Sequence, residues 1–567
     1  MMYILGISAY YHDSAAVLVK DGKVISAFEE ERFSRKKHDN SFPSRAINWC
    51  LKTNKLNISE IDYIAYYEKP LLKFERIIET FVATYPRSVL PFLKALPEWF
   101  GDKIKVEDVI KKKLKYRGKI LFIPHHLSHA ASTFYPSPYK NAAILTIDGV
   151  GEYQTTGLWH GDNTSIKSLA AIDFPHSIGL LYSTFTAFLG FQINNDEYKM
   201  MGLSAYGKPI YKNLLYKVID VKNDGSFRLN LEYFSFRESF QMWSSKFEKL
   251  FGKPRKKNES FSKRHKDIAA SIQKVAEEVY IKILNNLYSL TKTENLCISG
   301  GVALNSLANG LIYSQTPFKN VYIFGPAGDS GAAVGTALHV YHMFLNKKVK
   351  NKINHLYLGS SYPNIYIEKL LKQNNLQYKK SNEKDLVEET AQLLSKNKII
   401  GWFQGKMEFG PRALGARSIL ANPRNRNMKE KVNAVKMREQ FRPFAGSVLQ
   451  NKVKELFEVP KKNHSSPFMN FVFKVKPEAR KKIAAIVHKD NTCRIQTVNE
   501  KDNKLYYQLI KRFYELTDIP CVLNTSFNTK IEPIVELPEQ AIFDFRNTKL
   551  DCLVIENFLV KKINHKE

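Results

Sequence analysis

The chain is poor in cysteine, with five among 567 residues. Cys50, Cys297, Cys493, Cys521 and Cys552 stand far apart with no paired spacing. That excludes a zinc finger and a disulfide frame and fits a reducing compartment. Long apolar runs are also missing: nowhere do about 18 uninterrupted apolar residues occur, so no membrane-spanning helix is expected. The opening residues Met1-Met2-Tyr3-Ile4-Leu5-Gly6-Ile7 lack a basic start and a long apolar core, and read as a first strand and not a secretory signal. A cytoplasmic enzyme is the expectation. Negative charge is the remaining shortage. Against 86 lysines and arginines stand 55 aspartates and glutamates, a net charge of +31. Three kinds of partner fit this surplus: small anionic substrates steered into a cleft, nucleic acid, or an anionic membrane or glycolipid acceptor. A solvated lysine-rich surface is the plainer alternative, because the cations are spread out, with modest runs at Lys111–Lys113 and Lys253–Lys257 and no basic tail.

What is present points to chemistry at strand ends. Pro124-His125-His126-Leu127-Ser128-His129-Ala130 carries three histidines in five residues. His125 and His129 are four apart, so on a helix both imidazoles project from one face, two legs of a metal site. A strand-like run, Asn141 to Ile147, ends in Asp148-Gly149, and a later loop, Gly325-Pro326-Ala327-Gly328-Asp329, supplies a second carboxylate. Active sites of open α/β sheets sit at such strand ends. Two histidines with one or two aspartates suit a borderline divalent ion such as iron, manganese or zinc. His126 reads as a residue that orients the helix or the substrate.

The length sets an expectation of about two to four domains. The chain opens with strands at 3–8, 15–20 and 24–28, joined by the polar turn His12-Asp13-Ser14 and the hairpin signal Asp21-Gly22. Residues 73–115 are helical in character with proline breaks. Ala142 to Trp159 repeats the opening pattern of strand, turn and strand, which suggests a duplicated unit. Apolar spacing at Ile268, Ile272, Val275, Val279, Ile283 and Leu287 predicts a long helix over 265–292. Strands at 295–299 and 320–324 alternate with helices from Gly300 and over 332–344, so the class is α/β. Lys347 to Asn354 reads as a linker between domains at 1–346 and 357–567. The second domain is expected to carry helices near 368 and at 385–396, and strands at 398–403 and 519–523.

Several stretches together resemble one family. They are Ile7-Ser8-Ala9-Tyr10-Tyr11-His12-Asp13-Ser14, the His125–His129 pair, Ile298-Ser299-Gly300-Gly301-Val302-Ala303-Leu304-Asn305, Phe409-Gly410-Pro411-Arg412-Ala413-Leu414-Gly415 and Leu523-Asn524-Thr525-Ser526-Phe527-Asn528. In this order they are similar to the NodU/CmcH/TobZ O-carbamoyltransferases, over essentially the whole chain. The resemblance implies an N-terminal actin-like ATPase domain of the sugar kinase/Hsp70 superfamily, with duplicated RNase H-like subdomains. It implies a C-terminal YrdC-like α/β domain. There, ATP (with Mg2+) and carbamoyl phosphate would give carbamoyl adenylate, and the N-terminal metal site would pass the carbamoyl group to an acceptor hydroxyl.

Carried residue by residue, the resemblance gives His125, His129, Asp148 and Asp329 as metal ligands, with iron foremost and manganese or zinc next. His12 would handle the proton of the attacking hydroxyl. Lys37 would contact phosphate, and Gly301 and Asn305 the sugar or base of the nucleotide. Arg412, Lys436, Arg442 and Arg494 would hold the two polyanions, with Ser526 on a phosphate oxygen and Asn470 as a polar contact. After Asn528 the family has a Gly-Glu-Pro turn, where this chain reads Ile531-Glu532-Pro533. The expected partners are small molecules, with a sugar, glycoconjugate or natural product as acceptor. Peripheral contact with an anionic or lipid-linked acceptor and a homodimer are further expectations; nucleic acid is not expected. A threonylcarbamoyladenosine-type tRNA-modifying enzyme is the alternative reading. A nucleotide-gated binding module is a third, which the histidine pair disfavours.

Overall fold

The computed structural model describes residues 1–562. The chain forms a mixed α/β fold with several mixed sheets, divided into two compact units. The first comprises residues 1–30 and 38–352; the second comprises residues 31–37 and the chain from 353 onward. The division falls inside the stretch read as a linker. A contiguous first domain ending at 346 does not foresee that residues 31–37 belong with the second unit. Residues 563–567 of the expected second domain lie outside the described residues. Among the described residues no helix is long and apolar enough to cross a membrane.

The first unit contains two five-stranded sheets. Strands β1 (Tyr3–Ser8), β2 (Ala15–Lys20), β3 (Lys23–Glu29), β4 (Tyr63–Tyr66) and β5 (Lys119–Phe122) lie in the order β3-β2-β1-β4-β5. β1, β2 and β3 pair antiparallel, whereas β1, β4 and β5 run parallel. Next come β6 (Asn141–Ile147), β7 (Gln154–Asp162), β8 (Ser165–Asp173), a small ribbon of β9 (Ile219–Val221) and β10 (Phe227–Leu229), then β11 (Asn295–Ser299) and β12 (Asn320–Ile323). The second sheet reads β8-β7-β6-β11-β12, again three antiparallel strands followed by parallel ones. Order and direction match strand for strand, so the repeat suggested by Ala142 to Trp159 extends to the whole sheet.

The helices follow from spacing and caps. The long helix is Lys263–Thr291, started by Ser262, whose hydroxyl accepts from the His265 N–H at 3.3 Å, and its predicted apolar row is buried. The helical stretch after β4 is three helices: Pro70–Thr84, Val89–Glu98 and Val106–Leu114. The helix expected from 332 begins three residues earlier, as Asp329–His339. It packs on the helix His125–Phe134 at backbone distance. A Cβ on Gly335 would lie 1.8 Å from the Ser128 carbonyl oxygen, so only glycine admits the approach.

The second unit is built on one nine-stranded sheet. Its strands are β13 (Tyr378–Lys380), β14 (Ile400–Phe403), β15 (Arg417–Ala421), β16 (Ala445–Leu449), β17 (Phe471–Lys474), β18 (Thr492–Val498), β19 (Cys521–Ser526), β20 (Cys552–Ile555) and β21 (Phe558–Lys561). They lie in the order β13-β21-β20-β14-β15-β19-β16-β18-β17, with β14–β20 and β16–β18 parallel. The strand expected at 519–523 runs instead to Ser526. Its polar end stays in the sheet because Asn524 finds partners there: its side chain donates to Ala413 O at 3.2 Å and Ser447 Oγ at 2.9 Å. Replacing Gly335 by alanine should overpack the helix pair and destabilise the first unit by about 1–3 kcal/mol; urea unfolding measures it, and an unchanged midpoint would contradict the packing.

Candidate functional site

The two repeats of the first unit bring four ligand atoms together. His125 and His129 come from the helix after β5, Asp148 from the end of β6, and Asp329 from the first residue of the helix after β12. All four side chains are buried, with candidate ligand atoms within 4.8 Å of one another. Asp148 Oδ2 lies 2.9 Å from His129 Nε2 and 3.4 Å from His125 Nε2. Asp329 Oδ1 lies 3.4 Å from His129 Nε2 and 3.8 Å from His125 Nε2. Neither oxygen of Asp329 receives a well-formed hydrogen bond, although Asp329 is only 1% exposed. An imidazole pair facing two carboxylates, one of them without hydrogen bonds, fits a divalent cation of the borderline class.

The surroundings aim these side chains. The Glu152 carboxylate accepts from the His125 N–H at 3.0 and 3.1 Å and from the Lys69 N–H at 2.8 Å, which places a negative charge at the start of the histidine helix. His129 Nδ1 is 3.3 Å from Ser299 Oγ, which in turn donates to Ala327 O at 3.0 Å. That contact turns His129 Nε2 toward the aspartates. His126 points elsewhere, to Thr146 Oγ1 at 2.8 Å. Gly300 has φ +99°, and a Cβ there would meet Ile147 O at 2.2 Å; a Cβ on Gly301 would crowd Asp148 Oδ1 at 3.0 Å. The double glycine therefore leaves Asp148 room. Asn305 serves another purpose: its side chain caps the helix Ser306–Gln315 by accepting from the Ala308 N–H and pairs with Gln273, so it is taken up within the fold.

Charge organises the centre. Burial alone would raise the aspartates and lower the histidines. The His125 and His129 contacts outweigh burial at Asp148 and hold it well below the usual carboxylate range. Burial opposes a proton on His129, but Asp148 and Asp329 push it up to about 9. For His12 burial is likewise overcome, by Asp329 and Asp13, and the imidazole rises to about 10. His126, buried and beside the other two imidazoles, falls to about 3 and is neutral. His12 Nε2 lies 4.0 Å from Asp329 Oδ2, while its Nδ1 is 3.0 Å from Asp13 Oδ2. Asp13 Oδ1 is in turn 2.7 Å from His38 Nδ1. This His–Asp–His chain was not read from the sequence. Asp13 sits beside His12 in the motif, but nothing in the spacing marks His38.

In the second unit Arg412, Arg442 and Arg494 converge. Burial holds Arg494 well below its ordinary value, and the charges of Arg412 and Arg442 lower it further. Lys436 is likewise depressed by burial, then by Arg438, Arg442 and Lys37. Lys37 thus belongs to this cation group and not to the first domain, as the sequence reading had it; its Nζ donates to Lys530 O at 2.6 Å. Lys436 is committed to the protein. Its Nζ donates to Ser526 O at 2.5 Å and Oγ at 3.2 Å, and to Asn528 O and Oδ1 at 2.8 Å each. Ser526 Oγ donates onward to Asn528 Oδ1 at 2.7 Å. Asn470 is buried at the start of β17. Two carboxylates missed in the sequence shape the loops. Glu408 Oε1 accepts from the N–H groups of Leu414, Ala416 and Arg417. Glu532 accepts from Thr529 and pairs with Arg35 at 2.9 Å, holding the turn after Asn528.

A buried histidine–carboxylate centre thus lies in one unit and a half-buried group of cations in the other. The chain belongs to the carbamoyltransferase family. Residues 3–338 match the family's carbamoyltransferase N-terminus and residues 391–562 its carbamoyltransferase C-terminus. An uncharacterized protein of Synechocystis sp. is 46% identical over 99% of this chain and 97% of its own length. Nodulation protein NolNO of Sinorhizobium fredii is 35% identical over 98% of this chain and 80% of its own length. An uncharacterized protein of Methanocaldococcus jannaschii is 33% identical, covering 99% of this chain and all of its own. The protein is a carbamoyltransferase. Lys436→Met would leave the acceptors around Asn528 without their donor and should destabilise the second unit by about 1–3 kcal/mol; a variant as stable as the parent in thermal unfolding would show that the lysine does not hold this turn.

Proposed function

We propose that the enzyme is an ATP-dependent O-carbamoyltransferase. The second unit, read as YrdC-like, hydrolyses carbamoyl phosphate with one water to carbamate and phosphate; a carbamate oxygen then attacks the α-phosphorus of ATP, giving carbamoyl adenylate and releasing pyrophosphate. The first unit, read as an actin-like duplicated fold, transfers the carbamoyl group to a hydroxyl of a sugar, glycoconjugate or natural product. The observation that carries the reading is the four-ligand centre, where Asp329 is buried without a hydrogen bond beside two imidazoles. The matching order of the two sheets supports the duplicated fold.

His125, His129, Asp148 and Asp329 would hold a divalent ion, iron first and manganese or zinc next. Bound there, the ion would act as a Lewis acid on the adenylate oxygens and offset the negative charge that favours a proton on His129 and His12. His12, fixed by Asp13 at Nδ1, keeps Nε2 toward the centre and is the residue to take the hydroxyl proton. Burial of the centre excludes water, which a carbamoyl adenylate requires. In the second unit Arg412, Arg442 and Arg494 bind the two polyanions, and Lys436 sets the Ser526–Asn528 turn beside them.

With ATP and carbamoyl phosphate but no acceptor, pyrophosphate release should fall about 100-fold or more in Arg442→Ala, because a phosphate clamp is lost. It should persist in His125→Ala, which loses only transfer to acceptor. No pyrophosphate from the parent protein would refute the carbamoyl-adenylate reading. Divalent-ion affinity should depend on pH. Below about 9 a proton on His129 must leave before the ion binds, so affinity falls as pH falls. Competition with a chromophoric chelator at two pH values measures this. Asp329→Asn should weaken binding on the order of 100-fold or more, and an unaltered affinity would move the site elsewhere.

A further inference from the structure

Of the 24 large apolar residues exposed among the described residues, eight fall between positions 71 and 100. This segment is the pair of helices Pro70–Thr84 and Val89–Glu98 and the turn that follows. Its inner surface is satisfied. The Phe81 and Phe92 rings stack at 4.1 Å, and Phe74 meets the buried Trp99 at 5.6 Å, while Phe100 touches Phe74 by one edge and is otherwise open to solvent. The outer surface of the second helix is not. Leu90, Leu93 and Phe100, spaced to share one face, are 74%, 55% and 58% exposed. Lys94 stands in the same row, its Nζ 4.6 Å over the exposed ring of Phe240. Tyr85 extends the patch at the helix junction.

An apolar row this exposed marks an interaction surface. Its charge selects the partner. From 85 to 119 the chain carries ten lysines and arginines against four aspartates and glutamates. We propose that the outer face of the helix Val89–Glu98, with Phe100 and Phe240, docks on an anionic bilayer surface. Leu90, Leu93 and Phe100 enter the acyl boundary, while Lys94 and the lysines of the following turn and helix meet lipid phosphates. A second copy of this chain fits poorly, because a two-fold contact would set Lys94 and its neighbours against themselves. The first helix contributes less: its outward row includes Glu75 and Glu79, and Glu79 is bonded by Tyr153 Oη at 2.9 Å.

The surface lies on the same insert that meets the candidate centre. From the inner face of Pro70–Thr84, Lys73 Nζ lies 5.0 Å over Tyr11, and Arg76 senses Tyr11 and Glu152. Docking would therefore hold the transfer centre near hydroxyls borne at the membrane. That consequence rests on the carbamoyl-transfer reading; the docking does not.

Co-sedimentation of the full chain with phosphatidylcholine vesicles containing about one-quarter phosphatidylglycerol tests the proposal, with no nucleotide present. Binding at low salt is expected, at least tenfold weaker on pure phosphatidylcholine and at high salt. The variant Leu90→Ser/Leu93→Ser/Phe100→Ser should lose at least tenfold and Lys94→Glu several-fold, both with parental thermal unfolding and pyrophosphate release. No binding by the parent at low salt overturns the proposal. So does equal binding by the triple variant, or a concentration-dependent dimer that the triple variant abolishes while vesicles are ignored. Vesicle binding by a parent protein that releases no pyrophosphate would sink the adenylate reading and leave the docking standing.

Discussion

Two carboxylates buried side by side are the constraint on which the first unit depends. Asp148 and Asp329 are both buried, with candidate ligand oxygens within 4.8 Å of the same imidazoles, so solvent screens them little. Like charges so placed cannot both persist without cations. The surroundings answer with imidazoles: His125 and His129 from one helix and His12 from the first turn. The high affinity of His129 and His12 for protons and the fit to a divalent ion are two expressions of the same negative field. A divalent ion bound there would compete with protons for the same field.

The duplicated sheet explains how residues so distant in sequence converge. The turn between β1 and β2 carries His12 and Asp13; the corresponding turn between β6 and β7 begins with Asp148. The helix after β5 carries His125 and His129; the corresponding helix after β12 begins with Asp329. Each repeat thus gives one turn and one helix start to a common point. The two helices touch at Gly335 and Ser128, where their backbones approach too closely for any side chain. The same contact that joins the repeats sets the spacing between the imidazoles and Asp329.

Much of this was legible in the sequence, and the misses have physical causes. Helical spacing showed His125 and His129 on one face, and the glycine-flanked aspartates marked strand ends. Apolar periodicity placed the helix Lys263–Thr291 to within two residues at its start. Side chains that work through long-range contact left no local trace. His38 reaches Asp13 only because the backbone of the 38–40 turn bonds back to Tyr10 and Ser14. Glu152 and Glu408 act by accepting backbone N–H groups, a role that any glutamate in a loop could have. Residues 31–37 continue the first sheet in sequence, yet Arg32 donates to Gly410 O and Arg35 to Ile534 O, so their partners are in the second unit. Lys436 and Asn305 stand where the family pattern puts ligand-binding residues, but their polar atoms already have protein partners.

The second unit inverts the electrostatics of the first. There the gathered groups are cations: buried Lys436 and half-buried Arg494 are each depressed by withdrawal from water and by neighbouring cations, Arg442 among them for both. A guanidinium withdrawn from water beside other cations costs free energy unless an anion joins it. The fold spends other arginines differently. Arg417 is wholly buried but donates to the carbonyls of Gln404, Ala416, Ser360 and Gly405 and stacks at 3.5 Å on Phe403, so it needs no ligand. The two arginines differ in what surrounds them. Carbonyl oxygens satisfy Arg417, whereas Arg494 has cations for neighbours. Each unit therefore concentrates charge of one sign, carboxylates beside imidazoles in the first and guanidinium and ammonium groups in the second.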